Sequence, residues 1–176
     1  MSLNEITIEL TQQCPNHCIY CSSLSCMEKN ECLDYAAIIR VVDDAVIMGA
    51  KTVSLSGGEP FLREDIAEIV EYIKGKGLKV RLYSSGIYSD GNSYSSIPTM
   101  LLEAVKGKLD ALIFNYEAVD AELYAIIMGT EAANLAVLDE TIHRAIALGI
   151  PVEAHLVPMH CNFRHIPDVL SKLYSM

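Results

Sequence analysis

Cys14, Cys18 and Cys21 lie in CPNHCIYC, separated by three and then two residues. Thiolates ligate soft metals, and here the count matters most. A structural zinc takes four ligands, and an electron-transfer iron–sulfur cluster is held by four thiolates. Three thiols on one tight loop leave a place over. A cluster of four irons bound by three thiolates has one open iron, a catalytic position whose remaining ligand is a substrate or cosubstrate. Zinc is the competing reading, because Cys18, Cys21, Cys26 and Cys32 form a C-x2-C…C-x5-C series. That series would leave Cys14 idle and would use two cysteines flanking the charged MEKNE. Burial as small hydrophobes suits poorly the polar turn of Pro15, Asn16 and His17 between the first two cysteines. Cys26, Cys32 and Cys161 read as inert thiols.

A second candidate group is SGGEP, Ser56 to Pro60, directly after the β-branched run TVSL. Alone it would be a turn; after a strand, downstream of a cysteine loop, it is a candidate binding turn. Ser84 and Ser85 open the biased stretch SSGIYSDGNSYSS, which reads as a solvated loop. Asn115 and Glu117 follow another apolar run. His155 and Met159 stand near the end of the last such run and face a site only if strand parity allows it.

These groups need elements to hold them. Ile6 to Leu10 reads as a strand and Leu33 to Met48 as a helix closed by Gly49. Thr52 to Leu55 is a strand, followed by Ile66, Ile69, Val70 and Ile73 at helical spacing up to Gly75 and Gly77. Leu78 to Tyr83, Ala111 to Asn115 and Pro151 to Val157 read as strands, and Thr99 to Lys106 as a helix. Leu138, Ile142, Ala145 and Ile146 mark a helix ending at Gly149, and Ile166 to Tyr174 a last one with Pro167 in its first turn. Five βα units in a row predict an α/β fold with a parallel sheet and right-handed crossovers. The pattern fits an open doubly wound sheet as well as part of a barrel. Either way the cysteine loop, SGGEP and the serine pair follow strands, at the end where parallel folds keep their chemistry.

The chain has 176 residues, 51 % apolar, enough for one domain with a sizeable core. Lys plus Arg total 13 against 23 for Asp plus Glu, a net charge of −10. That balance, with no basic cluster, disfavours a nucleic-acid partner. No apolar run of about eighteen residues predicts a membrane span and no signal-peptide core opens the chain, so a cytoplasmic protein is expected. Met1, Ser2 and Leu3 read as an expression scar. Six cysteines in a reducing compartment are metal ligands, catalytic thiols or buried hydrophobes before they are disulfides.

Taken together, CPNHCIYC resembles the CxxxCxxC signature of the radical S-adenosylmethionine (radical SAM) enzymes, with Tyr20 in the aromatic position before the last cysteine. SGGEP resembles that family's GGEP motif. NYEAVDAELYAIIMG, Asn115 to Gly129, is similar to the SLDGxDPExHDxIRG segment of its peptide maturases, with Met128 where an arginine often stands. The resemblance covers the chain from Ile6 onward. It implies a parallel (βα)6-type partial barrel of which about five units are present. The whole of 1–176 would then be the core domain of a longer enzyme, its last strand and any C-terminal domain lying further on.

The resemblance also implies a 4Fe-4S cluster on Cys14, Cys18 and Cys21 whose fourth iron binds S-adenosylmethionine through its amino and carboxylate groups. One electron then cleaves the sulfonium to a 5′-deoxyadenosyl radical that removes a hydrogen atom from substrate. Gly57, Gly58, Glu59 and Pro60 would hold the cosubstrate amino group, since an iron-bound amine still carries hydrogens that need acceptors. Ser84 and Ser85 fall at the sulfonium end, Asn115 and Glu117 at the family's ribose-side and acidic positions, and Leu156 or Val157 against adenine. Met128 leaves the cosubstrate carboxylate without its usual partner. The substrate is a peptide, a protein or a small molecule of cofactor biosynthesis, and the reductant a flavodoxin or ferredoxin. A non-catalytic metal module, either a zinc site or a cluster carrier, is the other function class.

Overall fold

The structure is a computed structural model and describes residues 3–176; Met1 and Ser2, read above as part of a scar, lie outside the described residues. Five strands carry the sheet: β1 (Glu5–Glu9), β2 (Thr52–Ser56), β3 (Lys79–Ser84), β6 (Ala111–Asn115) and β7 (Val152–His155). Between β3 and β6 come two short strands, β4 (Ile87–Ser89) and β5 (Tyr94–Ser96). The helices are α1 (Tyr35–Ile47), α2 (Ile66–Gly75), α3 (Thr99–Val105), α4 (Ala121–Met128), α5 (Asn134–Ala147) and α6 (Ile166–Tyr174).

The main sheet runs β1-β2-β3-β6-β7 and every pair in it is parallel. Spatial order therefore follows chain order without reversal. A doubly wound sheet has a switch point where the order turns back; a sheet that adds each strand on the same side is the wall of a barrel. This resolves the ambiguity left by the alternating pattern. Val53, Ser54 and Leu55 of β2, like Ala111 to Phe114 of β6, are buried on both faces, as parallel strands covered by helices must be. On α2, Ile66, Ile69, Val70 and Ile73 are all buried, which is the stripe their spacing predicts. Among the described residues β7 pairs on one side only, and its four residues are half-buried or exposed. No described helix is long and apolar enough to cross a membrane.

Two elements differ from the sequence reading. The serine-rich stretch is an antiparallel hairpin, β4 against β5, rather than a free loop. Thr141 of α5, fully buried, anchors it by donating to the Gly86 carbonyl at 2.6 Å and accepting from Ile97 N–H at 3.0 Å. Segment 115–129 contains α4, whose Asp120 side chain caps the helix by accepting from Leu123 N–H at 2.8 Å and whose end turns at Gly129, φ +58°.

Candidate active site

Beyond β1 the chain has little repetitive structure until α1, yet the cysteine loop is held on two sides. From β2's end, Gly58 N–H donates to the Thr11 carbonyl at 2.6 Å and Glu59 N–H to the Gln13 carbonyl at 2.8 Å. From α4's end, the Met128 carbonyl accepts from His17 N–H at 3.0 Å and the Ile127 carbonyl from Ile19 N–H at 2.9 Å. The glycines exist for this contact. A Cβ on Gly57, where φ is +132°, would stand 2.5 Å from the Thr11 carbonyl oxygen. One on Gly58 would stand 2.0 Å from the Gln13 carbonyl oxygen and 3.0 Å from Cys14 Cβ. Gly129 is constrained likewise, 2.0 Å from the His17 carbonyl oxygen.

Cys14, Cys18 and Cys21 line one cavity of about 150 Å³ together with Asn16, Tyr20, Ser25, Ser56, Gly57, Gly58, Tyr83, Ser84, Ser85, Asn115 and Met128. The C-terminal ends of β2, β3 and β6 thus converge on the loop that follows β1. Cys26 and Cys32 are not on this cavity, and Cys32 is exposed and bridged to Thr11. Among the described residues no three His, Cys, Asp or Glu side chains converge on one point, as a single zinc with bonds of about 2.3 Å requires. Cys26 and Cys32, which a four-cysteine zinc site would need, do not share the cavity of Cys18 and Cys21. A four-iron cluster takes one thiolate per iron, so its ligands stand around a cavity, which is how these three are arranged. One further feature fits such an occupant: the buried side chains of Asn16 and Ser25, which line the cavity and have no hydrogen-bond partner.

Burial pushes the Cys14 thiol far above its ordinary range, and it pushes Cys18 up to about 12. In the absence of metal both are protonated near neutral pH, so ligation must release protons. The sign follows: cluster affinity rises with pH, because each thiol that ligates must first lose its proton. Reconstitution at pH 8.5 should therefore need less iron and sulfide for half-loading than at pH 7, measured by visible absorbance; equal loading curves would show that the thiols are already ionised.

The other candidates divide into two groups. Ser84, Ser85, Asn115, Tyr20, Gly57, Gly58 and Met128 are on the cavity; Glu59, Pro60, Glu117, Leu156 and Val157 are not. Glu59 is fully buried and does not line the cavity. It accepts from Phe61 N–H at 3.0 Å, Ser84 Oγ at 3.0 Å, and Ser85 N–H at 2.6 Å. Its place is behind the site, tying the glycine turn to the end of β3. Glu117, also fully buried, accepts from Tyr20 Oη at 2.9 Å, Asn115 Nδ2 at 3.2 Å and Val157 N–H at 2.9 Å. Tyr20 and Cys18 in turn touch the Met128 sulfur, at 3.5 Å and 3.9 Å. Met128 thus packs against the loop rather than leaving space. His155 stacks edge-on against Tyr83, with 5.4 Å between ring centroids, and does not itself line the cavity. Met159 packs on the core.

Sequence reasoning missed Asn16, Ser25 and Asn162. The turn around Asn16 is not the exposed turn its composition predicts, since Pro15 and Asn16 are buried and only His17 is exposed. Asn162 is fully buried and donates to the Glu117 carbonyl at 3.2 Å and the Val157 carbonyl at 3.1 Å. Its contact with Glu117 spans 45 residues, so no local pattern marks it.

Comparison with known proteins places this geometry. Residues 8–173 match the model of the Radical SAM superfamily. The PqqA peptide cyclase of Methylobacterium sp. (strain 4-46) is 32% identical over 163 residues, covering 92% of this chain and 41% of the cyclase. That of Methylobacterium nodulans is 30% identical over the same coverage. The chain thus spans about two fifths of these curated relatives. Among solved structures, Streptococcus suis SuiB bound to S-adenosylmethionine superposes with a TM-score of 0.77 at 16% identity, covering 97% of this chain and 37% of SuiB. Native anSMEcpe with bound AdoMet and Cp18Cys peptide gives 0.73 at 12% identity, covering 98% and 48%. At such identities these two structures speak for the fold.

Proposed function

The chain belongs to the Radical SAM superfamily, and from that premise we propose that it is the cosubstrate-cleaving core of an enzyme that modifies a peptide. The observation carrying this reading is the shared cavity: three cysteines of one loop face the glycine turn, the serine pair and Asn115 at neighbouring strand ends. When bound, a 4Fe-4S cluster supplies one electron that breaks a sulfonium carbon–sulfur bond of S-adenosylmethionine, giving methionine and a 5′-deoxyadenosyl radical able to take a hydrogen atom from substrate. Cys14, Cys18 and Cys21 are the residues that would hold it.

The remaining roles belong to this chain's own side chains and backbone. Carbonyls of the Ser56 to Gly58 turn accept hydrogens from the cosubstrate amino group. Ser84, Ser85 and Asn115 orient the sulfonium and ribose. Glu59 and Glu117 act as positioning residues, the first holding the serines and the second holding Tyr20 and Asn115. A peptide substrate is supported by the relatives named peptide cyclase and by the structures of SuiB bound to precursor peptide SuiA and of anSMEcpe with peptide. A flavodoxin or ferredoxin in the cytosol supplies the electron, and in the longer protein a further strand pairs with the free side of β7.

The test uses cysteine variants. Replacing Cys26, Cys32 and Cys161 together with Ser should leave iron, sulfide and the visible spectrum unchanged, whereas Cys18→Ala should abolish the oxygen-sensitive cluster. With dithionite and S-adenosylmethionine, the loaded wild type should release 5′-deoxyadenosine above the Cys18→Ala background. Loss of the cluster from the triple variant would return the site to the later cysteines.

A further inference from the structure

We propose that the Asn16 amide, together with the Ser25 hydroxyl, donates hydrogen bonds to the sulfur atoms of the cluster held by Cys14, Cys18 and Cys21, and thereby raises the potential at which it is reduced. The inference rests on the cluster reading above and goes beyond it by naming two residues that tune it.

Both side chains are 2% exposed, and both line the cavity that the three cysteines line. Neither Asn16 Oδ1 nor Nδ2 nor Ser25 Oγ has a hydrogen-bond partner in the protein. Buried polar atoms without partners carry a desolvation penalty that nothing offsets, and folded proteins rarely tolerate them. Two such side chains in the wall of one cavity point to an occupant that accepts hydrogen bonds. Nearby, Tyr124 Oη is buried, makes no well-formed hydrogen bond and interacts with the Asn16 side chain. A phenol hydroxyl is a donor that Oδ1 can satisfy, which turns Nδ2 toward the cavity; an amide's orientation is assigned from such partners. A serine hydroxyl rotates freely to donate.

The acceptor is the cluster rather than the cosubstrate for two reasons. Asn16 sits inside the loop, two residues from Cys14 and two from Cys18. The polar groups suited to the cosubstrate, Ser84, Ser85 and Asn115, come from other strand ends. Thiolate and sulfide sulfurs also carry negative charge, which an amide N–H₂ complements, while a sulfonium is cationic. Reduction adds an electron, so donors to sulfur favour the reduced form; hydrogen bonds to the sulfurs are among the determinants of cluster potential.

The test is a redox titration, followed by electron paramagnetic resonance, of anaerobically reconstituted wild type, Asn16→Leu and Ser25→Ala without S-adenosylmethionine. Asn16→Leu keeps the volume and removes the donor. It should bind as much iron and sulfide as wild type while its reduction equilibrium shifts about tenfold toward the oxidised form, which is 59 mV lower for one electron. Ser25→Ala should move in the same direction by less. If Asn16→Leu fails to retain iron, Ser25→Ala decides alone. Fully loaded variants with the wild-type potential would overturn the inference, as would a change seen only once S-adenosylmethionine is bound. Absence of any cluster in the wild type would instead sink the underlying reading.

Discussion

Glu59→Ala is expected to lose about 1–3 kcal/mol of folding stability, the magnitude of leaving buried donors without their acceptor. The carboxylate is fully enclosed and serves two backbone N–H groups, of Phe61 and Ser85, and two hydroxyls, of Ser84 and Ser85. Alanine leaves the Phe61 N–H and the Ser84 hydroxyl buried without this acceptor, while the Ser85 hydroxyl keeps only the Ile87 carbonyl at 3.3 Å. It also frees the end of β3 from the glycine turn, so Ser84 and Ser85 no longer face the cavity in fixed orientations. Glu59→Gln should fall between, because its carbonyl oxygen still accepts while its amide nitrogen opposes donors. Urea denaturation of the three apo proteins is the measurement. A loss below about 1 kcal/mol in the alanine variant, the value of a single ordinary hydrogen bond, would mean that this carboxylate does not organise the strand ends.

The second large effect is expected at a residue with no side chain. Gly58→Ala should fold but hold little or no cluster, because the new methyl group must displace the backbone that carries Cys14. The clash is with main chain, 2.0 Å from the Gln13 carbonyl oxygen, so no rotamer change relieves it. The hydrogen bonds from Gly58 N–H to Thr11 and from Glu59 N–H to Gln13 would be pulled apart at the same time. Strain on this scale, added to two disrupted bonds, is on the order of 2–4 kcal/mol. Iron content after anaerobic reconstitution, set beside the stability of the apo protein, separates the two consequences. Alanine at Gly75, where a Cβ meets nothing within 4 Å, is the matched control and should load fully. Full loading of Gly58→Ala would show that the cysteine loop is free to shift away from the turn.

What the sequence revealed and what it hid follow from the range of the interactions. The main strands and most helices were legible because their burial repeats locally: Val53 and Leu55 in β2, and Ile66, Ile69, Val70 and Ile73 in α2. The β4–β5 hairpin was not, since its strands are only three residues each and it is held by Thr141, more than forty residues away. Helix α4 carried legible signals in Asp120 and Gly129, but apolar residues dispersed over several faces blurred its period. Within the site, the metal-ligand set and the glycine turn are contiguous motifs. The direction of Glu59 is not: its partners lie 25 and 26 residues on, so the sequence pointed it at the cosubstrate and the fold turned it toward Ser84 and Ser85. Asn16 escaped notice because a polar residue in a turn reads as solvated, and only tertiary packing makes it buried and partnerless.

The most direct test of an open iron in this cavity is the electron paramagnetic resonance spectrum of the dithionite-reduced, anaerobically reconstituted chain, recorded before and after adding S-adenosylmethionine. A site of three thiolates predicts a reduced-cluster signal in the wild type that changes on addition, because the open iron gains ligands, and no such signal in Cys18→Ala. A cluster whose spectrum is indifferent to S-adenosylmethionine would contradict it, since a cluster with all its irons already ligated has no place for a cosubstrate.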